Sequence, residues 1–332
     1  MIGYYVHHHG RGHLSRATAI ADRLDAPVVG LSSLPRPAEW RGGWVQLPRD
    51  DEAPAVDADA NGRLHWAPLG HDGLRRRMAV IAKWIEKSRP EVIVVDVSVE
   101  VALLVRLHGV PVVTVAMPGC RDDPAHVLGF EVSTAIIGAW PPEARGMLNG
   151  MPEEARRRVR AVGAISRFSP SARPASGIRS RHVVVLGGSG GDDFTPDAVA
   201  AARRETPGWD WTHLGRSGTW SERPWALLRS AEVVVTHAGE SAIAEVAAAR
   251  RPAIVIPQER PHAEQQMTAA VLSGQAWPAL VRRAFPAAGW PRLLIAARDL
   301  DGTAWAAWND GGGARRAAAA IADVISTRRA AA

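Results

Sequence analysis

Short apolar, β-branched runs alternate along this 332-residue chain with longer segments whose apolar positions recur every three to four residues. The short runs read as buried strands, and the longer segments as helices with one apolar face. In the first half the strand pattern falls at Ile2–Val6 and at 27–31, 91–97, 110–116 and 134–139. In the second half it falls at 182–186, 209–214, 231–235, 252–256 and 274–280. Helical periodicity follows the first run, with Leu14, Ala17, Ile20, Ala21 and Leu24 on one face. It recurs after Arg75-Arg76-Arg77, with Met78, Ile81, Ala82 and Ile85, and at 98–108, 153–160, 240–249, 286–297 and 314–326. Strand, helix, strand in repeated alternation predicts parallel sheets covered by helices, an α/β chain.

The alternation is interrupted once. Residues 169–180 are rich in Pro, Ser and Arg, the composition of a linker. The expected organisation is an amino-terminal Rossmann-like domain at 1–165, a linker at 166–180 and a carboxy-terminal Rossmann-like domain at 181–332. The two domains face each other across a cleft, and the last helix packs back on the first. Residues 33–70 carry many Pro, Gly and Asp and read as strands and long loops.

The densest chemistry lies in the second half. The run at 231–235 leads into His237-Ala238-Gly239-Glu240-Ser241, and an Ala-rich helix with Glu245 one turn further along follows at once. A strand, a glycine turn and a helix start present unpaired amides and a positive dipole end, which together suit a phosphate. The next strand ends in Pro257-Gln258-Glu259-Arg260-Pro261-His262-Ala263-Glu264-Gln265-Gln266. Both clusters leave carboxyl ends of neighbouring parallel strands, where open α/β sheets bind ligands. After 182–186 the run Gly187-Gly188-Ser189-Gly190-Gly191 is a second loop whose backbone can approach a phosphate closely.

The spacing His237-x-Gly239-x-x-x-x-x-Glu245, followed by Pro257 and the acid-Gln pair Glu264-Gln265, resembles the nucleotide-sugar signature of GT-B glycosyltransferases. It is most similar to the bacterial N-acetylglucosaminyltransferases of peptidoglycan precursor synthesis, and more loosely to plant secondary-product glucosyltransferases. The Gly188-Ser189-Gly190 loop resembles that family's Gly-Gly-Ser loop. Gly163 to Arg167 resembles, weakly, the segment that closes its first domain. The resemblance implies a UDP-sugar donor held by Arg167, Gly188, Ser189, Gly190, His237, Gly239, Glu240, Ser241, Glu245, Glu264, Gln265 and Gln266. Within that set Glu245 would hold ribose hydroxyls, and Glu264, Gln265 and Gln266 the sugar. It also implies an inverting reaction that needs no metal and no cofactor beyond the nucleotide sugar. Glu240 departs from the family's pattern, since an acid beside a diphosphate repels it unless turned away.

The first strand ends in His7-His8-His9-Gly10-Arg11-Gly12-His13. A dinucleotide reading of this loop fails, because Ser15 stands at the third glycine position and the next strand ends in serines. In the family it resembles, this loop (Gly10, Arg11, Gly12) faces the acceptor, and its histidine, here His13, serves as the general base. Imidazole titrates nearer neutrality than other side chains and suits removal of a hydroxyl proton. Asp96, at the end of the 91–97 strand, either orients His13, caps the next helix, or is itself the base. His7, His9 and His13 lack the spacing to acids or cysteines usual for zinc, so no metal is expected there. Asp57-Ala58-Asp59 matches an Asp-x-Asp metal motif of another glycosyltransferase fold but follows no strong strand, and reads as chance.

Composition narrows the partners. The net charge of +6 is almost all arginine, with Lys83 and Lys87 the only lysines. That charge fits anionic ligands or a solvated basic surface, and no nucleic-acid motif accompanies it. The helix after Arg75 is basic and amphipathic, which suits either packing on the sheet or peripheral contact with anionic lipid. A single cysteine, Cys120, excludes a disulfide framework within the chain and fits a cytoplasmic setting; no signal-peptide or spanning pattern is evident. The expected activity is glycosyl transfer to a hydroxyl acceptor, whether lipid-linked sugar, natural product or wall polymer. A sugar-nucleotide epimerase or hydrolase of the same fold, and a non-catalytic nucleotide-sugar-binding protein, remain alternatives.

Overall fold

The computed structural model describes residues 1–8, 11–52, 54–170, 177–188, 194–219, 221, 223–274 and 276–331. The strands of the first half are β1 (Ile2–Val6), β2 (Val28–Ser32), β3 (Gly43–Gln46), β4 (Val92–Asp96), β5 (Val112–Ala116), β6 (Gly119–Cys120), β7 (Ala135–Gly138), β8 (Leu148–Asn149) and β9 (Val159–Ala161). Those of the second are β10 (His182–Leu186), β11 (Asp210–Leu214), β12 (Val233–Thr236), β13 (Ala253–Val255) and β14 (Ala279–Val281). The helices are α1 (Arg11–Ala21), α2 (Asp72–Ser88), α3 (Val99–Leu107), α4 (Pro124–Glu131), α5 (Glu153–Arg156), α6 (Pro196–Glu205), α7 (Pro224–Ser230), α8 (Glu240–Ala249), α9 (Glu264–Gly274), α10 (Trp290–Arg298) and α11 (Gly313–Ala331).

Among the described residues two parallel sheets form, one of seven strands in the order β3-β2-β1-β4-β5-β7-β9 and one of five in the order β11-β10-β12-β13-β14. β6 and β8 make a separate two-stranded pair. Every paired strand is parallel, as the β-α alternation requires. In the first sheet the order reverses between β1 and β4, and in the second between β10 and β12. A crevice opens at such reversals, outside the carboxyl ends of the strands. His13, in the first turn of α1 after β1, and Asp96, the last residue of β4, lie at this edge. The loops after β10 and β12 carry Gly188 and His237 to Gly239.

The central strands are buried on both faces: β1, β4 and β10 have no exposed residue. Local caps set the helix starts. Ser98 accepts from the Val101 amide to open α3, Asp123 from His126 to open α4, and Thr195 from Ala198 to open α6. α11 returns to the first domain, where Ala317, Ile321 and Ile325 join the core of Ile2, Tyr4, Val92 and Val94. A cut through this docking is expected to be costly. Ile321 is fully buried, so Ile321→Ala should lower the unfolding free energy by about 2–5 kcal/mol, read from denaturant melts.

Several expected elements differ. Of the strand expected at 274–280 only Ala279 and Leu280 fall in β14 (Ala279–Val281); Gly274 ends α9, and Ala276 and Trp277 lie in the connection. A short apolar run fits either state, and here the partner strand β13 decides it. The helix expected over 153–160 stops at Arg156, and β9 pairs with β7 instead. α2 packs on the sheet: Ile81 and Ile85 are buried, and Trp84 lies against Gly3. Arg77 is fully buried, donating to Tyr5 Oη at 2.8 Å and pairing with Asp50 at 2.9 Å. Among the described residues no helix is long and apolar enough to cross a membrane.

Candidate active site

The first turn of α1 carries His13 beneath the end of β1, and β4 ends beside it at Asp96. His13 Nδ1 lies 2.8 Å from Asp96 Oδ1. Arg16, one turn along α1, donates from Nε to Asp96 Oδ2 at 3.1 Å and from Nη2 to Oδ1 at 2.7 Å. Its Nη1 donates to Glu240, the first residue of α8 in the other domain. Asp96 has no exposed surface and Arg16 is 5% exposed. Burial opposes ionisation of Asp96, but the charges and hydrogen bonds of Arg16 and His13 outweigh it and hold the carboxyl well below the usual carboxylate range. The same acids raise the Arg16 guanidinium against its own desolvation. Burial pushes the Glu240 carboxyl up, and Arg16 opposes that push.

An ionised Asp96 only accepts, so its 2.8 Å contact favours the His13 proton on Nδ1, whereas Arg16 Nη2, 3.1 Å from the same nitrogen, only donates and opposes that tautomer. Asp96 is inaccessible, and both its oxygens are engaged by Arg16 and His13. Val97, the next residue, adopts φ 67°, a left-handed conformation rare for a β-branched side chain. Strain of this kind costs on the order of 1–3 kcal/mol and persists where surrounding contacts over-determine it.

The second domain completes the cleft. Gly239 caps α8 without a side chain, so the cap itself satisfies none of the first-turn amides. The Gly239 amide is taken, donating to His237 Nδ1 at 3.0 Å. A Cβ on Gly239 would stand 2.5 Å from the His237 ring, which explains the glycine better than the sharp turn expected, since φ is −68°. Ser241 is exposed, and a Cβ on Gly12 would stand 2.5 Å from its Oγ, so the first-domain loop and the start of α8 abut. The acid that departs from the family's pattern, Glu240, is turned onto Arg16.

The other expected donor residues also meet protein partners. Arg167 Nε donates to Glu245 Oε1 at 2.8 Å, bringing the expected diphosphate and ribose groups into one ion pair. Burial raises the Glu245 carboxyl, and Arg167 opposes it. Arg167 also lies over the Phe168 ring at 4.6 Å, and Phe168 stacks on Trp225. Gln265 Oε1 accepts from the Ala238 and Gln258 amides at 3.1 and 3.0 Å, clamping the loops after β12 and β13 together. Its carbonyl is therefore spent on the protein and not on a sugar. Gln266 Nε2 donates to Gln258 O at 3.2 Å, while its buried Oε1 has no partner. Glu264 Oε1 accepts from Arg121 at 2.6 Å, a second bond between the domains. Gly188 follows Gly187, whose amide bonds Leu214 O. Arg11 begins α1. His9, Gly10, Ser189 and Gly190 lie outside the described residues.

Beside this cluster a cavity of ≈ 410 Å³ opens between the first domain and the 261–264 loop. Tyr5, Trp66, Met78, Met117 and Phe130 give it apolar walls, and His7, His8 and Glu264 reach its edge. Sequence reasoning missed Arg16 and Arg121. Arg16 could have been found, since position i+3 from His13 shares its helix face; nothing near Arg121 signals its partner 143 positions away.

Residues 219–281 match the glycosyltransferase family 28 C-terminal domain, a span from the end of the β11 loop through β14 that holds His237, Glu245 and Gln265. No curated protein matches the sequence. Among solved structures the chain is similar to Phytolacca americana UGT2 complexed with UDP-2fluoro-glucose and pterostilbene, at 17% identity over 98% of this chain and 99% of that one, with a TM-score of 0.65. It is similar to the glycotransferase of kitacinnamycin at 16% identity over 97% and 98%, with a TM-score of 0.64. It is also similar to Acinetobacter baumannii MurG at 13% identity over 97% and 99%, with a TM-score of 0.62. Nearly end-to-end coverage at such identities is a likeness of fold. The chain therefore has the GT-B fold of these glycosyltransferases, and its residues 219–281 match the family 28 C-terminal domain.

Proposed function

We propose that the protein is an inverting glycosyltransferase that moves a sugar from a UDP-sugar to a hydroxyl acceptor, with His13 as general base. The observation that carries the reading is the His13–Asp96 pair at the strand-order reversal of the first sheet, facing the α8 start of the family 28 domain. The acceptor hydroxyl gives its proton to His13 Nε2 and attacks the anomeric carbon as the bond to the diphosphate breaks. Asp96 stabilises the imidazolium that results. Negative charge builds on the leaving diphosphate, opposite the amides of Glu240, Ser241 and Ala242. Preorganised amides of this sort are worth about 2.7–4 kcal/mol each at the transition state. They carry the charge without a Mg2+ bridge. Arg167 is half exposed and can swing from Glu245 to the diphosphate, which frees Glu245 for the ribose hydroxyls.

The apolar cavity favours a compact, apolar hydroxyl compound as acceptor over a wall polymer. The neighbours solved with UDP-2fluoro-glucose and pterostilbene, or with UDP and UDP-glucose, support a UDP donor by analogy of fold.

Calorimetric titration with UDP, dTDP and GDP, with and without Mg2+, tests the donor. Preferential UDP binding that Mg2+ leaves unchanged is expected; equal or absent binding of all three overturns the donor assignment. Glu245→Ala should weaken UDP by about tenfold, the loss of roughly one charge-assisted hydrogen bond. Unchanged affinity would remove Glu245 from the ribose. Product analysis with and without hydroxyl acceptors then separates transfer from epimerisation or hydrolysis, both of which proceed without an acceptor.

A further inference from the structure

Three loops that line the acceptor-side cavity bring together a cluster of side chains to which the proton-transfer step assigns no role. His65 comes from the segment between β3 and α2, Asp123 and His126 from the start of α4, and His262 from the second-domain loop after β13. Each offers one donor atom, and the four lie within 4.8 Å of one another. Asp123 is the hub: its oxygens stand 2.9 Å from His65 Nε2, 2.5 Å from His126 Nδ1 and 3.6 Å from His262 Nδ1. We propose that His65, Asp123, His126 and His262 bind a zinc-class divalent ion that clasps the two domains across the cleft.

The donor set is the first argument. Three imidazoles and one carboxylate suit zinc and its neighbours and exclude magnesium, which demands oxygen ligands. Zinc–ligand bonds of about 2.0–2.2 Å put tetrahedral ligand atoms roughly 3.3 Å apart. Side-chain movements on the order of 1 Å bring the four atoms to that figure from the present spacings.

The supporting contacts are the second argument. Glu100 Oε1 accepts from the His65 and Trp66 amides at 2.7 and 2.9 Å and pins the segment bearing His65. The His126 amide donates to Asp123 Oδ1 at 3.0 Å, which fixes the carboxylate at the helix cap. His262 and Ala263 are successive non-glycine residues in the left-handed region, φ 59° and 53°, so the loop is bent at a cost toward the cluster. Gly119 makes room for it, since a Cβ there would stand 2.5 Å from His262 O. His65, Asp123 and His262 are each about one-third exposed, which leaves an ion a path from solvent.

On binding, each of His65 and His126 shifts its single proton to the ring nitrogen away from the ion. His126 Nε2 then becomes a donor, and Arg121 gives up its 3.0 Å contact there while keeping Pro118 O and Glu264. Because His262 alone comes from the second domain, occupancy couples directly to cleft closure.

The experiment measures Zn2+ binding to the full-length, chelator-treated protein by competition with a chromophoric chelator, and reads closure by small-angle scattering. One Zn2+ per chain at micromolar affinity or tighter is expected, with a smaller radius of gyration when loaded and no competition from millimolar Mg2+. His262→Ala and His65→Ala should each weaken Zn2+ by more than about tenfold, and Asp123→Asn, which keeps the helix cap, should do the same. Exposed His108→Ala should leave it unchanged. Absence of stoichiometric Zn2+, or equal binding by wild type, His262→Ala and His65→Ala, overturns the proposal and leaves a hydrogen-bonded His-Asp cluster. The readout uses no nucleotide or sugar, so its failure is separate from failure of the transferase reading.

Discussion

His13→Ala is expected to lower the rate of sugar transfer by about two to four orders of magnitude while leaving UDP affinity intact. The imidazole belongs to α1 of the first domain, whereas the family 28 span that would hold the nucleotide belongs to the second. Loss of the ring therefore removes the proton acceptor without touching the donor site. Steady-state transfer to the acceptor found by product analysis gives the rate, and calorimetry gives the UDP affinity. Asp96→Asn should also collapse transfer, because an amide can donate to Nδ1 and select the wrong tautomer; a fall of about 10⁴ has a precedent in the serine-protease triad. Full turnover by His13→Ala would place the base elsewhere.

The second large effect is on stability. Arg16 holds two buried acids from different domains, Asp96 and Glu240. Arg16→Met deletes the cation and leaves both carboxylates desolvated, which should cost about 3–5 kcal/mol near neutral pH. The pH dependence has a definite sign. In the wild type the Asp96 carboxyl is depressed, so its contribution is present above the unfolded value of about 3.9 and is lost only as pH falls through its lower folded value. In Arg16→Met burial is no longer offset by Arg16, and both acids should bind protons more readily folded than unfolded. Stability then rises as pH falls, so the deficit against wild type should shrink between pH 7 and 5. Adding Glu240→Gln to Arg16→Met should recover part of the loss. Denaturant melts of the three proteins across that pH range check this; a deficit independent of pH would mean that the two acids are not what Arg16 stabilises.

Much of the site was legible because strand ends and helix starts are local. The apolar run, glycine loop and Ala-rich helix around 231–249 place the α8 amides correctly, and the pattern at 91–97 places Asp96 at a strand end beside β1. The first sheet ends at Ala161 and the second begins at His182, with the Pro/Ser/Arg-rich stretch between them. Errors came where a local pattern fits two states. Of the run at 274–280 only Ala279 and Leu280 pair with β13, and the end of the 153–160 segment pairs with β7 instead of continuing a helix.

The partners of the charged groups were not legible. Glu240 looked like an acid badly placed beside a diphosphate, and only Arg16, 224 positions away, explains it. Arg77, in the run of three arginines that opens α2, is buried against Asp50 and Tyr5, partners that no local pattern names. Gln265 reads from sequence as facing the sugar, and its Oε1 also joins two loops by accepting from the Ala238 and Gln258 amides. By itself the sequence determined which residues lie at the carboxyl ends of strands, because periodicity and turn chemistry act over a few positions. Only the tertiary structure decided which of them meet. Contacts such as the Arg16–Glu240 ion pair and the His126–His262 ring contact form between the two sheets' domains, and no short-range pattern encodes that distance.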